Sequence, residues 1–165
     1  MSRPRPKSPP NLVKIAFASR HFKESGVAEN VWAESLNGDR YRIRNSPFYA
    51  LGFSFLDVVH AVMQTEDARI PVVSDVVLRS GHSTYRLFLE KGIDNNDEFR
   101  RAWEAVESLG CSFEGMNGKL LAVDVPPETD IFAVYRLFEQ GARAKVWDFE
   151  EAHCAHDVSR AGPAA

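Results

Sequence analysis

The stretch STYRLFLEKGIDNNDEFRRAWEAVESLGCSFEGMNGKLLAVDV, residues Ser83 to Val125, decides the fold. Thr84 to Leu89, with Tyr85, Leu87, Phe88 and Leu89 around Arg86, reads as a strand. Asn95-Asn96-Asp97-Glu98 then offers a helix start, with Glu98 three residues after Asn95 as in a capping box. Phe99, Ala102, Trp103, Val106 and Leu109 recur at helical spacing, and Gly110 stops the helix. Cys111 to Glu114 opens a second strand, Gly115-Met116-Asn117-Gly118 turns it, and Leu120 to Val125 returns.

Working outward toward the C-terminus, Pro126-Pro127 ends the returning strand. Thr129 or Asp130 caps a second helix striped by Ile131, Val134, Tyr135 and Phe138 and closed by Gly141. Lys145 to Glu151 reads as a last strand, with Val146, Asp148 and Glu150 on one face and Trp147 and Phe149 on the other. The order β-α-β-β-α-β is that of a ferredoxin-like split βαβ unit. Right-handed crossovers put both helices on one face of a four-stranded antiparallel sheet. The other face needs a cover, and the upstream strands are expected to supply it.

Upstream, Leu12 to Arg79 is mostly β. Val13, Ile15 and Phe17 alternate with Lys14, Ala16 and Ala18. Val31 to Leu36, the turn Asn37-Gly38-Asp39 and the alternation of Tyr41 and Ile43 with Arg40, Arg42 and Arg44 predict a hairpin. Asp57 to Met63 and Ile70 to Leu78 complete five short strands, the pattern of a small SH3-like barrel or curled sheet. The expected fold class is therefore α+β: a β-rich lobe over 12–82 packed on a ferredoxin-like lobe over 83–156. A basic, proline-rich tail over 1–11 and a polar tail over 157–165 are expected to be disordered.

A chain of 165 residues buries roughly 70% of its unfolded surface and needs no metal or disulfide to hold it together. Two cysteines, Cys111 and Cys154, are too few for a disulfide framework, and Cys111 reads as a small buried thiol. The net charge of -3 gives no broad attraction to nucleic acid or anionic lipid. The basic N-terminus lacks the apolar run of a secretory signal, and no segment is long enough to cross a bilayer, so a cytoplasmic protein is expected.

Val31-Trp32-Ala33-Glu34, the run from Tyr41 to Ala50, Ser80 to Arg86, Gly110-Cys111, Val123 to Pro127 and Trp147 to Glu151 together resemble a bacterial family catalogued as domain of unknown function 4265. The likeness covers Val31 to Glu151, and Asn45-Ser46-Pro47-Phe48 and Ser80-Gly81-His82-Ser83-Thr84 are its most specific parts. That resemblance implies no activity. The first half also resembles small β-rich bacterial domains, some of them immunity or stress proteins, and the second half resembles ribonuclease-regulating split βαβ proteins. Both are likenesses of fold.

Ser80 to Thr84 joins the two halves, and ligands favour clefts between lobes. Gly81 tolerates unusual backbone angles, His82 exchanges a proton near neutral pH, and Ser83 and Thr84 carry hydroxyls. The competing reading is a polar turn whose hydroxyls satisfy backbone groups at the junction. Asn45, Pro47, Phe48 and Tyr49 form a second candidate, which composition also explains as a barrel loop burying Phe48 and Phe53. The candidates for ligand or partner binding are Asn45, Tyr49, His82, Ser83, Thr84 and Arg86.

His153-Cys154-Ala155-His156 lacks the further ligands that zinc requires, so no metal or other cofactor is expected. Arg40, Arg42 and Arg44 are diluted by Glu34 and Asp39, which argues against nucleic acid. Asp148, Glu150 and Glu151 make an acidic strand edge suited to steering a basic partner. No phosphate loop, nucleotide fingerprint or metalloprotease helix occurs. The expectation is a binding or regulatory protein, immunity-like and without catalysis, whose partner is another protein. The alternative is an enzyme or small-molecule sensor using the cleft around Ser80 to Thr84.

Overall fold

The computed structural model describes residues 12–159. The expected tail over 1–11 lies outside the described residues, as do 160–165, while Asp157 to Ser159 are exposed. The chain is a mixed α+β protein built on two sheets. The first five strands are β1 (Leu12–Ala16), β2 (Asn30–Ser35), β3 (Arg40–Ile43), β4 (Val58–Val62) and β5 (Val72–Leu78). Each pairs antiparallel with the next, and Ala16 on β1 meets Val72 on β5 in parallel to close a barrel. Alternation fills the barrel, because Ile15, Val31, Ala33, Ile43, Val59, Ala61 and Val73 point inward with Phe17 and Phe53.

The second sheet holds β6 (Ser83–Phe88), β7 (Ser112–Met116), β8 (Leu120–Val125) and β9 (Asp148–His153), in the spatial order β7-β8-β6-β9. All three pairings are antiparallel. Helices α1 (Asp97–Ser108) and α2 (Ile131–Arg143) lie on one face. Tyr85, Leu87, Leu121, Val123 and Val125 point toward them and meet Phe99, Trp103, Val106, Val134 and Phe138 in the core. The opposite face carries Thr84 and Arg86 of β6, Ala122 and Asp124 of β8, Glu114 of β7 and Glu150 of β9, all linked by pairing register.

Local details correct several expectations. The cap of α1 is Asn96, not Asn95: its Oδ1 accepts the Phe99 N–H at 3.0 Å while its Nδ2 donates to Gly92 O at 2.7 Å. Asn95 instead takes a left-handed φ of 53°, which asparagine tolerates. Asp130, rather than Thr129, caps α2, accepting from Phe132 and Ala133. Gly141 does not end α2, which continues to Arg143. It is there because the Trp147 ring lies on it: a Cβ would fall 2.2 Å from the indole. Trp147 donates to Phe138 O at 3.0 Å from that position, so the last strand starts later than expected, at Asp148, and Val146 packs on the helix-side core. The turn after β7 is confined to Asn117-Gly118-Lys119, since Gly115 and Met116 stay in the strand. Phe53 is buried in the barrel, whereas Phe48 is only half-buried and outside that core. Cys111 is buried and, like Cys154, unpaired.

Candidate functional site

The loop from Arg44 to Asp57, between β3 and β4, covers part of the helix-free face of the second sheet and makes a polar seam. Glu114 of β7 is its clearest tie. Its Oε1 accepts Asn45 Nδ2 at 2.7 Å and its Oε2 accepts the Ser46 N–H at 2.5 Å. Asn45 Oδ1 also accepts the Trp32 N–H at 2.7 Å, so one amide links barrel strand, loop and sheet. Burial raises the Glu114 carboxyl above the ordinary carboxylate value, opposed by those two hydrogen bonds.

Glu29, just before β2, organises the middle of the loop. Its carboxylate accepts the N–H groups of Phe48, Tyr49 and Ala50 at 2.6, 3.0 and 3.0 Å. The Ala50 carbonyl in turn accepts Arg86 Nη2 at 2.5 Å. Arg86 Nη1 reaches exposed Glu150 at 3.4 Å, and its buried Nε has no partner among the described residues. Burial lowers the Arg86 pKa, with Glu150 and Glu29 acting against the shift. Tyr49 is exposed and donates its hydroxyl to Met116 Sδ at 3.1 Å.

The segment Ser80 to Thr84 is largely engaged in bracing. The Ser80 N–H donates to Asp57 Oδ1 at 2.8 Å and its hydroxyl to Phe55 O at 2.7 Å. Thr84 Oγ1 donates to Ser54 Oγ at 2.7 Å in a buried contact. Ser83 Oγ lies 2.6 Å from His156 Nδ1 and accepts the Ala155 N–H at 2.8 Å. His156 Nε2 lies 2.9 Å from the Pro126 carbonyl, which can only accept. In the neutral ring the proton therefore sits on Nε2, and Nδ1 accepts the Ser83 hydroxyl. The arrangement pairs a serine with a base, but Ser83 has no exposed surface from which to attack a substrate. It clips the chain after β9 onto β6 and β8.

His82 is placed differently. Its Nδ1 donates to Asp124 Oδ1 at 2.7 Å, and its ring meets Phe55 edge-on at 5.5 Å. Asp124 and Phe55 line a cavity of about 200 Å³ at the seam, with Arg44, Ser46, Ser112, Phe113 and Glu114. Of the sequence candidates, His82 and Asn45 thus border this cavity through Asp124 and Glu114. Arg86 and Tyr49 lie together at another, of about 200 Å³, with Phe22, Lys23, Glu24, Val27 and Glu150. Ser83 and Thr84 are interior braces.

Glu29, Arg44, Glu114 and Asp124 were not among the sequence candidates. A signal for two of them was present: period-two reading puts Glu114 and Asp124 on the face of their strands opposite the helix-facing Phe113 and Val123. Carboxylates on a face that must be covered mark a polar seam. Among the described residues no cluster of three potential metal ligands occurs, and no helix is long and apolar enough to cross a membrane.

A barrel and a two-helix sheet joined by buried carboxylates and a buried arginine define an α+β protein whose two sheets share one polar interface. The family model described as Domain of unknown function (DUF4265) matches residues 29–149, and the chain belongs to that family. No curated protein matches it. A solved structure described as a novel crystal structure of a hypothetical protein from Neisseria gonorrhoeae is similar, with a TM-score of 0.73 and 15% identity. The likeness covers 89% of this chain and 97% of that one, and at this identity it is a likeness of fold.

Proposed function

We propose that the protein is a non-enzymatic binding or regulatory factor, immunity-like in kind, that holds a basic segment of another protein on the uncovered end of its second sheet. The observation that carries this reading is Phe88. It follows Arg86 on the helix-free face of β6, yet the residue is 46% exposed. Beside it lies a groove of about 260 Å³ lined by Arg86, Leu120, Asp148, Phe149 and Glu150. Phe88 and Asp148 also border a second hollow with Glu90 and Lys145. An apolar floor with the carboxylates of Asp148 and Glu150 at its rim, and Glu90 in the adjoining hollow, suits a lysine or arginine, whose stem packs on Phe88 while its head meets the acids. Strand β9 is also an edge of the second sheet, the kind of strand to which another can add, with the Gly52 N–H donating to its Ala152 carbonyl near one end.

The architecture supports the same reading. The strand order and crossovers fit a ferredoxin-like split βαβ lobe over 83–156, and the five-stranded barrel fits an SH3-like lobe over 12–82. Lobes of both kinds recur in recognition proteins, which is an argument from analogy. An enzyme or sensor centred on Ser80 to Thr84 draws less support, because Ser83 and Thr84 are buried and hydrogen-bonded within the chain.

The test is affinity capture from the native host with the wild-type chain and with the Phe88→Ser, Asp148→Lys, Glu150→Lys variant. A basic protein retained by the wild type, released by salt and lost by the variant supports the reading. Failure to retain any partner reproducibly, or equal retention by the variant, overturns it.

A further inference from the structure

We infer that the cavity at the seam, away from the Phe88 groove, is a binding site for a small α-amino acid or a zwitterion of that shape. The argument starts from hydrogen-bond capacity. The Asp124 side chain is only 7% exposed. Its Oδ1 is held by His82, Oδ2 accepts no hydrogen bond among the described residues, and the residue lines the cavity. A carboxylate accepts at both oxygens, so the second one is free to take a donor from a ligand in the cavity that Asp124 lines. Glu114 is the more occupied of the two, since each of its oxygens already accepts one hydrogen bond, from Asn45 and from Ser46.

The donor that fits is a nitrogen cation. No third metal-ligating side chain joins Asp124 and Glu114 among the described residues, which disfavours an inorganic cation. The cavity also contains Arg44, on the barrel side, whose guanidinium repels a simple amine and attracts a carboxylate. A ligand bearing an ammonium for Asp124 and a carboxylate for Arg44 satisfies both ends. The Phe55 ring, fixed edge-on to His82, supplies an apolar wall for a side chain. At about 200 Å³ the space is below that of drug-sized pockets, roughly 300–1,000 Å³, and suits a molecule of amino-acid size. Because Arg44, Ser46 and Phe55 come from the barrel side and Ser112, Glu114 and Asp124 from the sheet, the ligand bridges the two.

The experiment titrates the full-length, isotope-labelled chain with glycine, alanine, serine, leucine and glutamate. The matching amines without a carboxylate serve as controls, and amide resonances of Ser46, Ser112 and Asp124 are followed. Saturable shifts with at least one amino acid are expected, with the matching amine about tenfold weaker or more, the loss of one charged contact. Asp124→Asn should abolish the shifts. Where that variant fails to fold, Ser112→Phe, a change at an exposed position on the cavity rim, should abolish them by filling the space. No shift with any amino acid, an amine that binds as tightly, or binding that survives the substitution overturns the inference.

Discussion

Asn45 Nδ2 donates to Glu114 Oε1 at 2.7 Å, joining residues 69 positions apart and tying the barrel loop to β7. The same amide accepts from Trp32, so its removal breaks contacts to β2 and β7 together. Asn45→Ala should cost about 2–3 kcal/mol, because a buried charged acceptor loses a donor. Glu114→Ala should cost a similar amount. The double variant should fall short of the sum by about 1–2 kcal/mol, as expected for groups in one network. Urea unfolding of the four proteins of the cycle measures this, and strict additivity would show that the two side chains act separately.

Glu29 gathers three consecutive amides on one carboxylate. Glu29→Gln keeps the shape but turns one oxygen into an N–H₂ group facing an N–H, leaving a donor without an acceptor. A loss of about 2–3 kcal/mol is expected, in the range of charge-assisted hydrogen bonds. Hydrogen exchange at Phe48, Tyr49 and Ala50 should quicken more than exchange in α1, where the contact is not felt. Uniform quickening would mean that the carboxylate stabilises the whole chain rather than the loop.

Gly141 packs against the Trp147 indole with no room for a methyl group. Alanine is the better helix former by about 0.8–1.0 kcal/mol, so propensity alone predicts that Gly141→Ala stabilises. Overpacking wins here, because the indole is held by its bond to Phe138 O and cannot retreat. The net expectation is a destabilisation of about 1–2 kcal/mol, read as a lower thermal midpoint. An unchanged or higher midpoint would show that Trp147 moves aside freely.

Burial pushes the Cys111 thiol up to about 12, with Asp124 adding to the shift. The thiolate is the reactive form, so Cys111 should resist a disulfide reagent in the folded protein at about pH 8. Reaction should be confined to Cys154 until denaturant is added, when both cysteines titrate. Two reactive thiols in the native protein would contradict the buried placement.

The strands and helices were legible because their apolar residues kept period: Phe99, Trp103 and Val106 for a helix, Ile15 and Phe17 for a strand. What failed was local. Gly141 looked like a terminator because sequence carries no sign of the indole that sits on it six residues later. Asn95 and Asn96 are chemically alike, and only the left-handed backbone at the first decides which one caps. At the site, Ser80-Gly81-His82-Ser83-Thr84 was visible as a polar string at a junction, but its direction was not. Whether each hydroxyl faces a cleft or a carbonyl depends on strand register, which brings Ser54, Asp57, Asp124 and His156 to it from distant positions. Glu29 was invisible for the same reason: its partners are backbone amides about twenty residues on, and amides have no signature in sequence.

His153, at the end of β9, has a buried Nε2 without a partner among the described residues. Burial lowers its pKa below 6.5, and Arg79 lowers it further against the weaker pull of Asp57 and Glu151. Above about pH 6.5, the ordinary histidine value, both folded and unfolded chains hold the neutral ring and no penalty applies. As pH falls below that value the unfolded chain takes up the proton first, so stability declines until the depressed folded pKa is passed. His21, shifted down by burial and Arg20, adds a decline of the same sign. Glu114 acts oppositely at lower pH: its folded pKa is raised above 4.5, so the folded chain binds the proton first and regains stability as pH falls through that region. Replacing His153 with glutamine removes one titrating ring and should flatten the stability profile just below pH 6.5, while His21 leaves a residual slope. Urea midpoints measured across that range decide it. An unaltered slope in His153→Gln would show that the ring is solvated enough to titrate alike in both states.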